Sequence, residues 1–336
     1  MPRIVYCDDS MPGITRRKVR HGWGYWDPHG NRITDREEID RLNRIGLPPA
    51  YRDAWFSPDP NGHIQAIGWD ERGRKQYRYH PDFRAARENA KYDRCAAFGL
   101  ALPRLRARVE ADLKTHRHSK ERTVAAIVKL LDIGYLRVGN EGYAKANKSF
   151  GATTLRDRHA EIRGQTLRLC YRAKSGKVRT VVITDRSLAR FVKKCQDLPG
   201  QQLFQYINGD GQPHGVSSTD VNDYIRAATG DDFTAKHFRT WGASVIAFEA
   251  LASADGNIGL KTMLEPVTEA LGNTPAIARK SYVHPALIEL AKADKAVQES
   301  FRTHLDLPRA TRYLNRYERG LIAFLEGECE PRRKAA

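Results

Sequence analysis

The hydrophobic period of the chain changes near residue 82, and this change constrains the fold more than any other feature. Before it, segments with aromatic and β-branched residues alternate with turn clusters such as PDPNG and DERGR, which predicts a small β-meander. After Asp82 the apolar residues recur with helical spacing, as in FRAARENAKYDRCAAFGLAL. The sequence therefore predicts an α+β protein, with a β-rich amino-terminal domain followed by a mainly helical domain.

The chain has 336 residues, which is long for a single hydrophobic core, so two domains are expected. The change of period places them at residues 1–88 and 89–336. A small antiparallel sheet is predicted inside the second domain, where TLRLCYR and VRTVVIT flank the turn AKSGK.

Two helices have clear start signals. DREEIDRLNRIG is predicted to begin after the N-cap Asp35, with Glu38 completing a capping box and Gly46 ending the helix. SKERTVAAIVKLLDIG is predicted to begin after Ser119 and to stop at Gly134, with its apolar stripe turned inward. Near the end of the chain, TRYLNRYERGLIAFLEG predicts an amphipathic helix packed on the second domain, followed by a basic tail, EPRRKAA.

The charge of the chain indicates a polyanionic partner. Lysine and arginine total 57 against 40 aspartate and glutamate residues, a formal net charge of +17 that is spread along the whole length. Basic surfaces bind nucleic acid by neutralising phosphates and releasing counterions. The alternative is a solvated basic surface without such a partner.

Cysteine usage and the length of the apolar runs indicate the cellular compartment of the protein. Five scattered cysteines without a C-x-x-C pair argue against a disulfide framework or a thiolate metal site, and they favour a reducing compartment. The amino terminus lacks the basic and apolar segments of a signal peptide, and no apolar run approaches a membrane-spanning length. We therefore expect a soluble cytoplasmic, nucleoid-associated protein without membrane contact.

One tyrosine and a set of basic residues stand out as candidates for chemistry. Tyr282 lies near the end of the short segment GNTPAIARKSYVHP, Arg137 follows a helix stop in GYLRVGN, and Lys174 is at the tip of the AKSGK hairpin. Arg239 and Lys236 are placed in the first turn of a helix capped by a threonine, where cations are unfavourable unless an anion offsets them. Taken singly, each residue is more commonly a packed ring or a solvated charge.

Together these residues suit the cleavage of a phosphodiester by a tyrosine. Attack by a phenol exchanges one phosphate ester for another, so the reaction is reversible without ATP. The planar guanidinium of arginine, which donates two parallel hydrogen bonds, stabilises charge on the non-bridging oxygens. A lysine can protonate the leaving alkoxide. Surrounding cations favour the phenolate form of the nucleophile. This chemistry needs no metal ion or small-molecule cofactor, and no carboxylate cluster suited to a metal is evident.

In their order along the chain, six segments resemble type IB DNA topoisomerases of the small bacterial and poxvirus kind. GRKQYRYHPDF and ENAKYDR are similar to the junction of the two domains in that family. LRVGNE, AKSGK, KHFRTWG and GNTPAIARKSYVHP are similar to its active-site segments. The resemblance implies a transient covalent link to double-stranded DNA, relaxation of supercoils by strand rotation, and resealing without ATP.

The resemblance also implies roles for individual catalytic residues. Tyr282 is the expected nucleophile that captures the 3′ phosphate. Arg137 and Arg239 are expected to contact the scissile phosphate, and Lys174 is expected to help expel the 5′ hydroxyl. Asn273 stands where poxvirus and eukaryotic relatives carry histidine, so it is expected to donate a hydrogen bond to the phosphate without transferring a proton.

Further positions match residues that contact DNA in the family. Gln76, Tyr77 and Tyr79 in KQYRYH match residues that read the major groove in poxvirus enzymes, and Tyr143 and Lys236 are expected to contact DNA in the second domain. GNEGYAKANK departs from the poxvirus pattern of DNA-contacting lysines, which puts a short preferred cleavage site in doubt. The implied protein is a monomer whose two domains form a clamp around DNA.

Two other functions remain open at this point. Tyrosine recombinases use a similar set of arginine, lysine and tyrosine, but they usually carry H-x-x-R where this chain has KHFR, and their amino-terminal domains are helical. A non-enzymatic basic DNA-binding protein, with the tyrosine packed in a core, is the alternative from a different class.

Overall fold

The computed structural model describes residues 3–71 and 73–327. The chain divides into two compact units, Met1–Lys91 and Tyr92–Ala336. The division falls inside a helix, whereas the change in hydrophobic period places the domain boundary after residue 88. The predicted mixture of helices and small antiparallel sheets is confirmed.

The first unit contains a five-stranded antiparallel sheet with the strand order β2-β1-β3-β4-β5, so β5 forms one edge. A helix runs from the end of this unit into the second. In chain order the elements are β1 (Ile14–Val19), β2 (Gly22–Trp26), α1 (Arg36–Arg44), β3 (Arg52–Phe56), β4 (Ile64–Trp69), β5 (Lys75–Tyr79) and α2 (Pro81–Asp93).

Helix α1 begins as the sequence predicts, but the capping box does not form. The Asp35 carboxylate accepts a hydrogen bond from the Glu37 backbone N–H at 3.2 Å. Glu38 instead pairs with Arg41 at 2.6 Å, because an arginine three residues along the helix offers a charged partner. The helix ends at Arg44, and Gly46 follows with a φ of +66°.

The core of the first unit is small and includes residues from the sheet and from α1. Its buried members are Ile14, Tyr25, Leu42, Leu47, Phe56 and Ala66. The ring of Tyr25 meets that of Phe56 edge to face, with centroids 5.4 Å apart. A second apolar cluster, Trp55, Ile64 and Ile67, packs separately with Cys7.

The second unit is mainly helical, with a three-stranded antiparallel sheet of order β6-β7-β8 and a two-stranded ribbon that the sequence did not predict. Its elements are α3 (Cys95–Lys114), α4 (Lys120–Gly134), α5 (Glu141–Asn147), β6 (Ala160–Arg163), β7 (Thr166–Arg172), β8 (Val178–Thr184), α6 (Arg186–Gln196), β9 (Gln205–Ile207), β10 (Pro213–Gly215), α7 (Ser218–Thr229), α8 (Ala235–Ala252), α9 (Leu260–Leu271), α10 (Pro275–Ser281), α11 (Pro285–Lys292), α12 (Lys295–His304) and α13 (Arg316–Leu325).

Helix α4 confirms the prediction made for it. Ser119 is the N-cap and accepts from the Arg122 N–H at 3.3 Å. The inward residues Val124, Ile127, Leu130 and Leu131 are buried in the core of the second unit. The helix ends at Gly134, and the C-cap Tyr135 adopts the left-handed conformation with a φ of 50°.

The predicted carboxy-terminal helix is α13, and it is part of the core of the second unit. Its Glu318 carboxylate accepts from Arg106 of α3 at 2.7 Å, and Arg106 also pairs with Asp132 of α4 at 2.7 Å. The Trp241 indole donates to the same glutamate at 3.2 Å. This buried network joins four helices and gives the segment a packing role. The predicted tail EPRRKAA lies outside the described residues.

Candidate active site

Tyr282 is placed by the short helix α10. Thr274 caps this helix, Pro275 occupies its first position, and Tyr282 is the C-cap residue with its N–H donating to the Ala278 carbonyl at 3.0 Å. The side chain of Tyr282 is only 7% exposed. A tyrosine that only packs in a core also has a buried ring. The partners of the Tyr282 hydroxyl therefore decide whether it is a packed ring or a nucleophile.

Arg137 makes the first of these contacts. Its Nη1 donates to the Tyr282 hydroxyl oxygen at 2.8 Å. The Arg137 backbone is fixed because its carbonyl accepts from the Ala152 N–H at 2.8 Å. Gly151 permits this approach, since a Cβ there would lie 2.6 Å from the Arg137 carbonyl oxygen. The sequence after α4 therefore holds the arginine rigidly beside the phenol.

Arg239 is buried beneath the same phenol. Its guanidinium carbon lies 4.8 Å from the Tyr282 ring centroid, and the side chain is only 3% exposed. It donates to the carbonyls of Tyr135 and Leu271, the latter at 3.0 Å. Those carbonyls lie at the carboxyl ends of α4 and α9, where the helix dipole favours a cation.

This geometry corrects one expectation about Arg239. Thr234 is the N-cap of α8 as predicted, but the helix starts at Ala235, so Arg239 is in the second turn and not the first. Its charge is balanced by the ends of two other helices. Lys236 does not share its buried environment, because that side chain is exposed.

The two arginines change the acidity of Tyr282. Burial raises the pKa of its phenol, but the charges of Arg239 and Arg137 outweigh burial and lower the pKa below its usual value of about 10. Tyr135 and Tyr171 show the opposite behaviour, since burial raises the pKa of both, that of Tyr135 to about 12. Desolvation lowers the pKa of Arg239 to about 10, so its guanidinium remains charged at neutral pH.

Asn273 completes the cluster. Its Oδ1 accepts from Arg137 Nη2 at 3.4 Å. Its Nδ2 and the Nε of Arg239 are both buried, and neither has a hydrogen-bond partner within residues 3–71 and 73–327. Buried donors without acceptors are unfavourable in a resting fold. Two such donors beside the same phenol are suited to an incoming anionic oxygen.

The structure therefore brings together four of the five predicted catalytic residues, and Lys174 makes no hydrogen bond or ion pair with them among the described residues. Lys174 lies at the tip of the β7–β8 hairpin, is exposed, and has no hydrogen-bond or ion-pair partner in the described chain. The hairpin turn closes through the Ala173 N–H and the Lys177 carbonyl at 2.8 Å. Lys236 is also unpaired among the described residues, in the first turn of α8.

The residues predicted to contact DNA are exposed to different degrees. Tyr77 and Tyr79 on the edge strand β5 are 42% and 45% exposed, and their rings stack with centroids 6.0 Å apart. Gln76 is partly buried and donates to the Asp70 carboxylate at 3.0 Å. Tyr143 lies in the first turn of α5 and is 42% exposed.

Sequence reasoning missed two residues that support this cluster. Arg179 of β8 donates to three carbonyls at the ends of α4 and α9. Ser244 of α8 is fully buried, and its hydroxyl accepts from the His284 N–H at 3.0 Å, directly after the Tyr282 segment. The strand period places Arg179 on the inward face with Val181 and Ile183, so an inward arginine was detectable. No such signal marks Ser244.

Neither a cluster of metal-binding side chains nor a membrane-spanning helix is present in the part of the chain that the structure describes. No group of three or more His, Cys, Asp or Glu side chains is arranged to hold a metal ion. In the same part of the chain, no helix combines the length and apolar character needed to span a membrane.

Family models match most of the chain. The model described as "Eukaryotic DNA topoisomerase I, catalytic core" matches residues 80–300. The model described as "Bacterial DNA topoisomerase IB, N-terminal domain" matches residues 22–70. The first match contains the whole Arg137, Arg239, Asn273 and Tyr282 cluster.

Individual relatives agree with these models. DNA topoisomerase 1B of Acanthamoeba polyphaga mimivirus is 33% identical over 294 residues, covering 83% of this chain and 88% of the relative. DNA topoisomerase 1B of vaccinia virus (strain Copenhagen) is 22% identical over 249 residues, covering 71% of this chain and 76% of the relative. A solved XerH site-specific recombinase bound to its difH substrate aligns with a TM-score of 0.38 and 16% identity, covering 59% of this chain and 49% of that one. A score that low carries no structural argument. The family models and the viral relatives together show that the chain belongs to the type IB DNA topoisomerases, isomerases whose substrate is DNA.

Proposed function

We propose that Tyr282 cleaves one strand of duplex DNA by forming a 3′-phosphotyrosyl link, that supercoils relax by rotation of the free strand, and that the 5′ hydroxyl then reseals the nick. In the forward step the Tyr282 oxygen bonds to phosphorus and the bond from phosphorus to the 5′ oxygen breaks. Resealing reverses both changes. Because one phosphate ester replaces another, no ATP is consumed.

The observation that carries this proposal is the placement of two guanidiniums at Tyr282, with Arg137 Nη1 2.8 Å from the hydroxyl oxygen and the Arg239 guanidinium carbon 4.8 Å from the ring centroid. A phenol attacks phosphorus best as the phenolate, and the Arg137 and Arg239 guanidiniums favour that form. A tyrosine that serves only the core has no need of two cations at its hydroxyl, and burial alone raises its pKa. The environment of Tyr282 is thus that of a nucleophile.

The phosphate is proposed to bind the unpaired donors beside this phenol. The Arg239 Nε and the Asn273 Nδ2 lack partners among the described residues, and non-bridging phosphate oxygens would satisfy both. Arg137 already contacts the hydroxyl that attacks, so it spans nucleophile and phosphate. Preorganised donors of this kind stabilise the charge that develops in the transition state.

Lys174 is proposed as the general acid that protonates the departing 5′ oxygen. Its exposed position on a hairpin tip, without a partner among the described residues, leaves it free to approach the phosphate, and movement of the tip on DNA binding is part of the proposal. Tyr143 and Lys236 are proposed DNA contacts in the second unit, and Gln76, Tyr77 and Tyr79 in the first. We extend the proposal to a monomeric clamp that closes around the duplex.

The rate of strand cleavage is expected to rise with pH, with its inflection below pH 10. The reactive species is the phenolate, whose fraction grows as pH rises through the lowered pKa of Tyr282. Replacing Arg137 by alanine removes one of the cations that lower this pKa, so the inflection should move to higher pH. Single-turnover cleavage measured across a pH series, with ultraviolet absorbance of tyrosinate as a second readout, checks both expectations.

Relaxation assays test the proposal as a whole. The protein should relax positively and negatively supercoiled plasmid in EDTA with no nucleotide added. Denaturing the reaction with detergent before it finishes should leave the protein covalently joined to the 3′ end of the broken strand. Peptide mapping of the labelled adduct should identify Tyr282.

Several results would contradict the proposal. Attachment of the protein to a 5′ end, or an adduct on a residue other than Tyr282, would show a different chemistry. Strand exchange between two defined sites, without relaxation of plasmids lacking them, would indicate a recombinase. Salt-sensitive binding without any nick would indicate a DNA-binding protein that is not an enzyme.

A further inference from the structure

Arg179 lies near the start of β8, five residues after Lys174, and its side chain reaches away from the sheet toward two helices. Its Nη2 donates to the Gly134 and Ala270 carbonyls, both at 2.8 Å, and its Nη1 donates to the Tyr135 carbonyl at 3.1 Å. Three carbonyls at two helix ends therefore bind one guanidinium. The positive charge of Arg179 therefore lies at the negative ends of two helix dipoles, those of α4 and α9.

The same helix ends carry the phosphate-binding cluster. Arg239 also binds the Tyr135 carbonyl and the neighbouring Leu271 carbonyl. Arg239 therefore joins α4 to α9 whether or not Arg179 is present. What Arg179 adds is a connection between those helix ends and β8, the strand that follows the Lys174 turn.

The other contacts of the β7–β8 hairpin restrain its position less directly than the hydrogen bonds of Arg179 do. Residues of β8 pair with β7, including Tyr171 with Arg179, but both strands belong to the hairpin itself. Toward α4, apolar packing supports the strand, since a Cβ added at Gly134 would lie 3.1 Å from Ile183 Cδ1. Val178, beside Arg179, is exposed. The hydrogen bonds of Arg179 thus hold β8 in one position relative to α4 and α9, close to the turn.

We propose that Arg179 is a positioning residue that holds the base of the Lys174 hairpin against the ends of α4 and α9, to which Arg239 also donates. The inference rests on the proposed role of Lys174 as the general acid. When DNA binds, the turn moves about a fixed base, so Lys174 reaches the 5′ oxygen in one orientation. Three of the five N–H donors of Arg179 are bonded to backbone carbonyls, so the role proposed for it is positioning and not contact with the substrate.

The test compares two leaving groups in single-turnover cleavage of a DNA duplex. One substrate has the natural 5′ oxygen, and the other has sulfur at that bridging position. A thiol has a pKa of about 8.5, against about 15.7 for water, so a thiolate leaves without a proton whereas an alkoxide needs one. Loss of the general acid or of its positioning should therefore slow only the oxygen substrate.

Arg179→Ala is expected to slow cleavage of the oxygen substrate by roughly 10–10²-fold, the size of effect that a misplacement of about 1 Å produces. Cleavage of the sulfur substrate should remain close to that of the parent protein. Arg179→Lys retains a cation at this half-buried position but not the planar guanidinium that reaches three carbonyls. It therefore provides the same comparison if the alanine variant folds poorly. Its loss should be smaller and equally confined to the oxygen substrate.

Two further variants make the outcome decisive. Arg168→Ala removes an exposed arginine from the neighbouring strand β7, so it matches the change in charge and should leave both rates unchanged. Lys174→Ala should lose cleavage of the oxygen substrate and retain cleavage of the sulfur substrate.

If Lys174→Ala is slow with both substrates, the proposed general acid is wrong. If Lys174→Ala is rescued by sulfur and the Arg179 variants are not, or if those variants match the parent with oxygen, the positioning role is wrong.

Discussion

Tyr282→Phe is expected to abolish DNA relaxation while leaving DNA binding intact. The change deletes one oxygen that accepts a hydrogen bond from Arg137 at 2.8 Å, and the ring can keep its place in the core. No covalent link can form without that oxygen. Removing the nucleophile of a covalent enzyme typically costs on the order of 10⁶-fold in rate, so no relaxation should be detectable. Plasmid relaxation and binding to a labelled duplex measure the two properties.

A matched variant separates loss of the nucleophile from general damage to a tyrosine. Tyr317 of α13 also carries a hydroxyl in a hydrogen bond, at 2.9 Å from the Ser253 hydroxyl. Tyr317→Phe should relax plasmid at the parent rate. Relaxation by Tyr282→Phe at a rate comparable to the parent would remove the basis of the proposed function.

Arg137→Ala and Arg239→Ala are each expected to lower the cleavage rate by about 10²–10³-fold, the cost of removing one preorganised donor to a transition-state oxyanion. Each deletes a cation that lowers the pKa of Tyr282, and the guanidinium of Arg239 also offers an unpaired buried donor. Single-turnover cleavage at saturating DNA isolates this effect from any change in binding.

Stability should distinguish the two arginine variants. Arg137 is half-buried and contacts side chains of the cluster, so its removal should change the melting temperature little. Arg239 supports the ends of α4 and α9, and its loss leaves the buried Leu271 carbonyl without that donor, which costs about 1–3 kcal/mol. The Tyr135 carbonyl still accepts from Arg179. Equal melting temperatures for both variants would contradict a supporting role for Arg239.

Much of the local structure follows from short-range chemistry that the sequence displays. Ser119 and Asp35 cap helices where they were predicted to do so, because an N-cap side chain bonds to a backbone N–H two or three residues away. The capping box at Glu38 failed because Arg41 lies one turn along the same helix. A helical capping rule does not weigh such a competing ion pair.

The sequence by itself determined the change from strands to helices, the N-caps of α1 and α4, the β7–β8 hairpin, and, through ordered motifs, which tyrosine and which basic residues to examine. These are properties of neighbours along the chain. Only the tertiary structure decided that Arg239 binds the ends of two other helices, that Arg137 and Arg239 lower the pKa of Tyr282, and that Lys174 is exposed without a partner in the described chain. Electrostatic effects depend on distances through space between residues that are tens to more than a hundred positions apart in the sequence, and no periodicity encodes those distances.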